Sequence, residues 1–148
     1  MGLVRKPWAW KEILEAAREV RLPRDTAATV SGAAATDPAA SVGHVLAGEL
    51  ERKFGWTRRP GIGAAMVKDR VAVELRASPA ETPHAVFAAH LADYALGEID
   101  VGVTLVPARA ARSLLMPGVL CYEDQLAMLR SLGRGNPRVP LVLAGVAA

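Results

Sequence analysis

The feature that most constrains the fold is an apolar run rich in β-branched residues, IDVGVTLV at positions 99–106, which is closed by Pro107. The run lacks a sustained alternation of apolar and polar positions, so a strand formed from it must be buried on both faces. It is far shorter than the roughly 20 apolar residues that a membrane-spanning helix needs. The sequence therefore predicts a central strand in a sheet with helices on both of its faces.

Hydrophobic periodicity divides the rest of the chain into further helices and strands. Helices are predicted at residues 7–20, 42–54, 83–96 and 122–132, and strands at residues 70–76 and 139–146. The alternation from Val67 to Leu75 predicts a hairpin or bent strand pair, with Lys68, Asp69 and Arg70 as its turn. Residues 21–41 keep no period and predict a loop with at most a short strand near 27–30. This order predicts one α/β domain with a mixed sheet flanked by helices.

Length and composition fit a single globular domain. The 148 residues, 51% hydrophobic and 22% charged, are enough for one core and too few for two ordinary domains. A formal net charge of +3 is too small for a disordered chain, and a pI of about 9.4 indicates a polyanionic partner only weakly. With one cysteine, Cys121, and no apolar leader, the sequence predicts a cytoplasmic protein that is not in a membrane.

One carboxylate of the second predicted helix falls on its apolar side. At about 100° per residue, Glu49 and Lys53 lie within the apolar stripe that starts at Val42, whereas Glu51 lies opposite. An inward carboxylate must be paired or must bind something, because an unpaired buried charge is costly. Pairing with Lys53 at i, i+4 and binding of a metal ion are both open at this point.

Four segments together resemble a known family. VKDRVAVELRA at 67–77 and AHLADYALGEIDVGVTLVP at 89–107 are similar to segments of the BglII-type restriction endonucleases, a branch of the PD-(D/E)XK nuclease superfamily. KPWAWKEILEAAREV at 6–20 and GELERKFGW at 48–56 are similar to that family's opening helix and to its helix that ends in Gly-Trp. The resemblance implies a restriction-endonuclease-like fold, Mg²⁺-dependent hydrolysis of DNA phosphodiester bonds, and a homodimer.

In that family, an Asp and a Glu on neighbouring strands hold the metal, and a Lys or Gln two residues after the Glu positions the nucleophile. Here Glu74 matches the Glu, but Arg76 follows it and Ala65 stands at the position of the Asp. Alanine supplies no oxygen ligand, and the guanidinium competes with a metal and cannot act as a general base. The resemblance implies Glu74, Arg76 and Glu49 as catalytic residues, with Glu74 and Glu49 as Mg²⁺ ligands if the site is active.

Three explanations of the missing aspartate stay open. Asp69 could replace it if the strand register slips, although Asp69 is expected in a turn. Glu49 could supply the second carboxylate from its helix. Ala65 could also be an engineered change made to trap a substrate complex.

Basic residues give a weaker signal. Arg58 and Arg59, with Trp56 beside them, are candidates for contacts with DNA phosphates and equally fit ordinary surface arginines. Arg134 and Arg138 form a second basic pair.

The histidines and one acidic patch favour structural roles. His44, His84 and His90 do not have the spacing of a zinc site. Asp93, Glu98 and Asp100 fit helix-end and loop positions, with Asp100 at the start of the central strand.

Three functions are compatible with these residues. The first is a restriction-endonuclease-like protein, either an active nuclease or a pseudoenzyme. The second is a non-catalytic module that binds DNA or a protein, and the third is a fold adapted to a small molecule.

Overall fold

The computed structural model describes residues 6–19, 38–59, 65–76, 83–115, 117–131 and 141–146. Its elements in chain order are α1 (Pro7–Glu19), α2 (Pro38–Phe54), β1 (Thr57–Arg58), β2 (Met66–Lys68), β3 (Val71–Leu75), α3 (Pro83–Ala95), β4 (Val101–Pro107), a 3₁₀ helix (Arg109–Leu114), α4 (Tyr122–Ser131) and β5 (Leu141–Val146). The predicted helices and strands are confirmed, whereas β1 and the 3₁₀ helix were not predicted. The suggested strand near 27–30 and positions 139–140 lie outside the described residues.

The described strands form one five-stranded sheet in the order β1-β2-β3-β4-β5. β1, β2 and β3 pair antiparallel, whereas β3, β4 and β5 pair parallel, with α3 and α4 as the connections. β4 lies between β3 and β5, and all seven of its residues are buried. The prediction of a central, doubly buried strand is therefore confirmed.

Alternation along the strands assigns different residues to the two faces of the sheet. On one face, Val73 of β3 and Val103 of β4 pack in a hydrophobic core with Ile13 of α1 and Leu50 of α2. α3 covers the opposite face of β3 and β4, where His90 lies against Gly102. This face carries the polar side chains of Glu74 and Thr104. The candidate site lies on this second face.

Positive φ angles mark the predicted turn and two predicted helix ends. Asp69 and Arg70 have φ values of 45° and 64°, which make the turn between β2 and β3. Gly55 and Gly97, with φ values of 69° and 71°, follow the ends of α2 and α3. Both features agree with the predicted turn and helix ends.

The buried face of α1 and the first residue of α2 differ in detail from the sequence prediction. The apolar spacing in α1 suggested a face formed by Trp10, Ile13, Leu14 and Ala17. In the structure Ile13 is fully buried, and Trp10 and Ala17 are partly buried against the core, as predicted. Leu14 is 39% exposed, and Ala9 and Ala16 are fully buried in addition. α2 also begins at Pro38, inside the predicted loop.

No helix among the described residues is long and apolar enough to cross a membrane.

Candidate functional site

Ala65, Glu74 and Thr104 lie side by side on the face of the sheet that α3 covers, and they form a row across three neighbouring strands. In the hairpin, Met66 pairs with Val73, so the preceding residue Ala65 stands opposite Glu74. Glu74 in turn pairs with Thr104 of β4. Residues that stand opposite one another share a face of the sheet. Ala65 is thus on the strand position next to Glu74, where the resemblance implies an aspartate.

Glu74 is a buried carboxylate contacted by Arg76 and His90. Its exposed fraction is 3%. Its Oε2 accepts a hydrogen bond from Arg76 Nε at 3.0 Å and forms an ion pair with Arg76 Nη2 at 2.8 Å. His90 Nε2 of α3 is 3.2 Å from Oε1 of the same carboxylate. Among the described residues, neither of these two atoms nor Thr104 Oγ1 has a hydrogen-bond partner with good geometry.

Opposing effects set the charge state of Glu74. Burial raises the pKa of the carboxyl, but the neighbouring His90 and Arg76 side chains lower it by more, and the pKa lies below its ordinary value of 4.5. The group is ionised at neutral pH. Arg76 therefore acts as the counter-ion of a buried anion.

His90 is a residue of this site that the sequence analysis treated only as structural. Its imidazole lies directly on Gly102 of β4, where an added Cβ would be 2.6 Å from His90 Cγ. Glycine within a strand often marks a close approach of another group. Gly102 interrupts the β-branched run of β4, and this interruption is the sequence signal that could have located His90.

Glu49 and Glu74 lie on opposite sides of the sheet. α2 packs on the core face with Val73, whereas Glu74, the next residue, points to α3. Glu49 instead pairs with Arg52 at 2.9 Å and with Lys53 at 3.1 Å. Arg52, followed by Lys53, lowers the pKa of Glu49. The structure therefore supports ion pairing for Glu49 and does not bring it to Glu74.

Two other acidic residues are also held elsewhere. Asp69 is in the turn, five residues before Glu74, which corresponds to about 16 Å of extended strand. Asp100 binds Arg70 Nη2 at 2.8 Å and Lys6 Nζ at 3.0 Å, and these cations lower its pKa to about 2. Asp69 therefore does not replace the missing aspartate, and Asp100 joins the start of β4 to the residue before α1.

The two arginines proposed to contact DNA lie on different faces. Arg58 pairs with Met66, whose side chain is in the core, and its Nε is 3.5 Å from Glu51 of α2. Arg59 is the next residue, and its backbone N–H donates to Ala65 O at 3.0 Å. Arg59 therefore extends the row of Ala65 and Glu74 on the α3 side. Arg134, Arg138 and the His84 side chain lie outside the described parts of the chain, and His44 is exposed.

The residues around Glu74 do not fit Mg²⁺. This ion requires near-octahedral coordination by six oxygens, commonly with one or two carboxylates. Glu74 is the one carboxylate in the row, Arg76 binds one of its oxygens, and Ala65 beside it supplies no oxygen ligand. Within the described ranges, no three His, Cys, Asp or Glu side chains are grouped so that they could hold a metal ion.

Comparisons with known proteins identify the fold. No protein-family model and no curated protein matches the chain. Among solved structures, the chain is similar to free BglII, with a TM-score of 0.67 and 19% sequence identity, over 95% of this chain and 71% of that one. An identity this low shows the fold alone. The chain therefore has the α/β fold of the restriction endonuclease BglII, with a mixed five-stranded sheet flanked by helices.

Proposed function

We propose that the chain is a DNA-binding protein of restriction-endonuclease-like fold that does not hydrolyse phosphodiester bonds with Mg²⁺. The observation that carries this proposal is the state of Glu74, whose buried carboxylate is held by Arg76 at 2.8 Å and approached by His90 at 3.2 Å. A metal-dependent nuclease needs that carboxylate for its cation. In this chain the guanidinium of Arg76 supplies the positive charge beside that carboxylate.

Support for DNA binding comes from the fold and from the net positive charge. The formal charge of +3 and the pI of about 9.4 favour a polyanion. Many described arginines are paired with acids, as Arg58 is with Glu51 and Arg59 with Asp93. Affinity should therefore be modest and should fall with added salt, because binding would rest on few phosphate contacts. A homodimer remains a prediction of the family resemblance.

Two assays on the purified chain test the proposal. Supercoiled plasmid is incubated with Mg²⁺ or Mn²⁺, and we expect no nicking above a metal-free control. A fluorescein-labelled duplex of mixed sequence is titrated at several salt concentrations, and we expect binding whose logarithm falls linearly with the logarithm of salt. Metal-dependent nicking that Glu74→Gln abolishes would refute the loss of hydrolysis. Absence of binding at low salt would refute the DNA partner.

Arg130→Ala is a matched control for substitutions near the row. Arg130 is in the last turn of α4, which packs on β5, at the opposite edge of the sheet from β1. Removing its charge lowers the net charge by the same amount as removing Arg59. If net charge alone determines affinity, both variants should bind equally.

A further inference from the structure

The ion pairs of Arg59 lie on the same face as Glu74, beside the position that Ala65 leaves without a functional group. Nη1 of Arg59 is 2.6 Å from Asp93 of α3, and Nη2 contacts Glu98, which follows the turn at Gly97. The two carboxylates thus bind different nitrogens of one guanidinium. A guanidinium presents five donors in a fixed plane, so one edge can stay occupied while the other changes partner.

The two carboxylates differ in exposure. The Asp93 side chain is 23% exposed and comes from the helix that covers the site, whereas the Glu98 side chain is 51% exposed. The more exposed carboxylate is more strongly hydrated after release, and its ion pair contributes less. A phosphate oxygen can therefore replace Glu98 at Nη2 while Asp93 still orients Arg59 through Nη1.

We infer that Arg59 is a phosphate-binding residue, that Asp93 orients it, and that Glu98 competes with the phosphate. The inference rests on the proposed DNA-binding function and defines the contact at this site. The ligand class is a phosphodiester oxygen of duplex DNA. Because Ala65 carries only a methyl group, no carboxylate stands between Arg59 and Glu74 in the row to repel that oxygen.

Net charge alone and the proposed geometry of Arg59 predict different changes in DNA affinity when an acidic residue is removed. Removal of either acidic residue makes the protein more positive, so a purely electrostatic effect would strengthen DNA binding in both cases. If Asp93 orients Arg59, its removal weakens binding, whereas removal of Glu98 strengthens it. The opposite signs of the two effects are therefore diagnostic.

The experiment measures binding of the fluorescein-labelled mixed-sequence duplex by five versions of the full chain: wild type, Arg59→Ala, Arg58→Ala, Asp93→Asn and Glu98→Gln. We expect Arg59→Ala to weaken binding about tenfold and to reduce the salt slope by about one. Arg58→Ala, with the same charge on the other face, should change affinity less than about twofold. Glu98→Gln should bind about two- to fivefold more tightly, and Asp93→Asn should bind several-fold more weakly.

The measured affinities test the roles assigned to Arg59 and Asp93 separately. Equal affinities of the Arg59→Ala and Arg58→Ala proteins would refute the role of Arg59 while leaving DNA binding itself intact. Tighter binding by Asp93→Asn would refute its orienting role. No binding by the wild-type chain would refute the proposed function and this inference together. Thermal unfolding of each variant excludes misfolding, and Arg59→Lys, which keeps the charge, should bind with intermediate affinity if Arg59→Ala is unstable.

Discussion

Replacing Gly102 by alanine should reveal how closely His90 packs on β4. The added Cβ would lie 2.6 Å from His90 Cγ and 2.9 Å from Cδ2 and Nδ1. Ordinary contact begins at 3.4 Å, so the ring or the strand must move by about 0.8 Å, the difference between 3.4 and 2.6 Å. Both are held, because β4 is paired on both sides and the imidazole is 3% exposed.

The magnitude follows from two opposing effects of Gly102→Ala. Overpacking of a well-packed site costs about 1–3 kcal/mol. Alanine also restricts the unfolded chain more than glycine does, which favours the folded state by roughly 0.5–1 kcal/mol. The free energy of unfolding should therefore fall by about 1–2 kcal/mol. Gly145→Ala is the matched control, because its Cβ would meet Tyr122 at the milder distance of 3.1 Å on the edge strand.

A double-mutant cycle with His90→Ala isolates the contact. In the His90→Ala background the ring is absent, so Gly102→Ala should no longer destabilise the protein. The coupling free energy should then be about 1–3 kcal/mol, measured from urea unfolding at an unchanged m-value. If Gly102→Ala costs the same in both backgrounds, His90 does not lie against Gly102, and the described position of His90 beside Glu74 is wrong.

Three further predictions concern the charged groups. Ala65→Asp and Arg76→Gln together should raise Mn²⁺ affinity, measured by isothermal titration, by more than the sum of the single changes, with a coupling of about 0.5–3 kcal/mol, because both substitutions act on one site; additive effects would contradict this. The folded-state pKa of Glu74 is lowered, so its ionisation stabilises the fold above pH 4.5 and that contribution is lost as the pH falls through the folded value. Wild-type stability in urea should therefore fall more steeply as the pH is lowered below about 4.5 than that of Glu74→Gln. Asp100, with a pKa of about 2, should titrate near that value by carbon NMR, and Arg70→Ala should return the pKa toward 3.8.

Elements with a continuous pattern could be predicted from the sequence, and elements defined by pairing could not. The β4 run has enough β-branched residues to identify a buried strand without a partner. β1 has only two residues, Thr57 and Arg58, and both are exposed, so no periodicity marks it. It exists because β2 offers an edge for pairing. The position of Ala65 beside Glu74 was implied by the family resemblance, and the turn at Asp69 and Arg70 aligns β2 and β3 in that register.

Part of the candidate site could be predicted from the sequence, because strand alternation is a local pattern. Glu74 and Arg76 are two residues apart on one strand, and alternation places them on one face. His90 is on a helix, and its contact with Glu74 depends on how α3 crosses the sheet, which no local pattern fixes. Arg58 and Arg59 are adjacent in sequence and were treated as one basic cluster. The alternation of β1 separates them onto the two faces.

The changes at Ala65 and Arg76 are physically linked through Glu74. A buried carboxylate must be protonated, exposed or paired with a cation, because its unpaired burial costs several kcal/mol. Where a metal is bound by two carboxylates, the ion provides that compensation. Ala65 supplies no oxygen ligand beside Glu74, so Glu74 needs a cation from the protein to remain ionised inside the fold. Arg76 binds one oxygen at 2.8 Å and His90 approaches the other at 3.2 Å. Arg76 thus makes it possible for Glu74 to stay ionised in the core, and it does so by binding an oxygen that a metal ion would need.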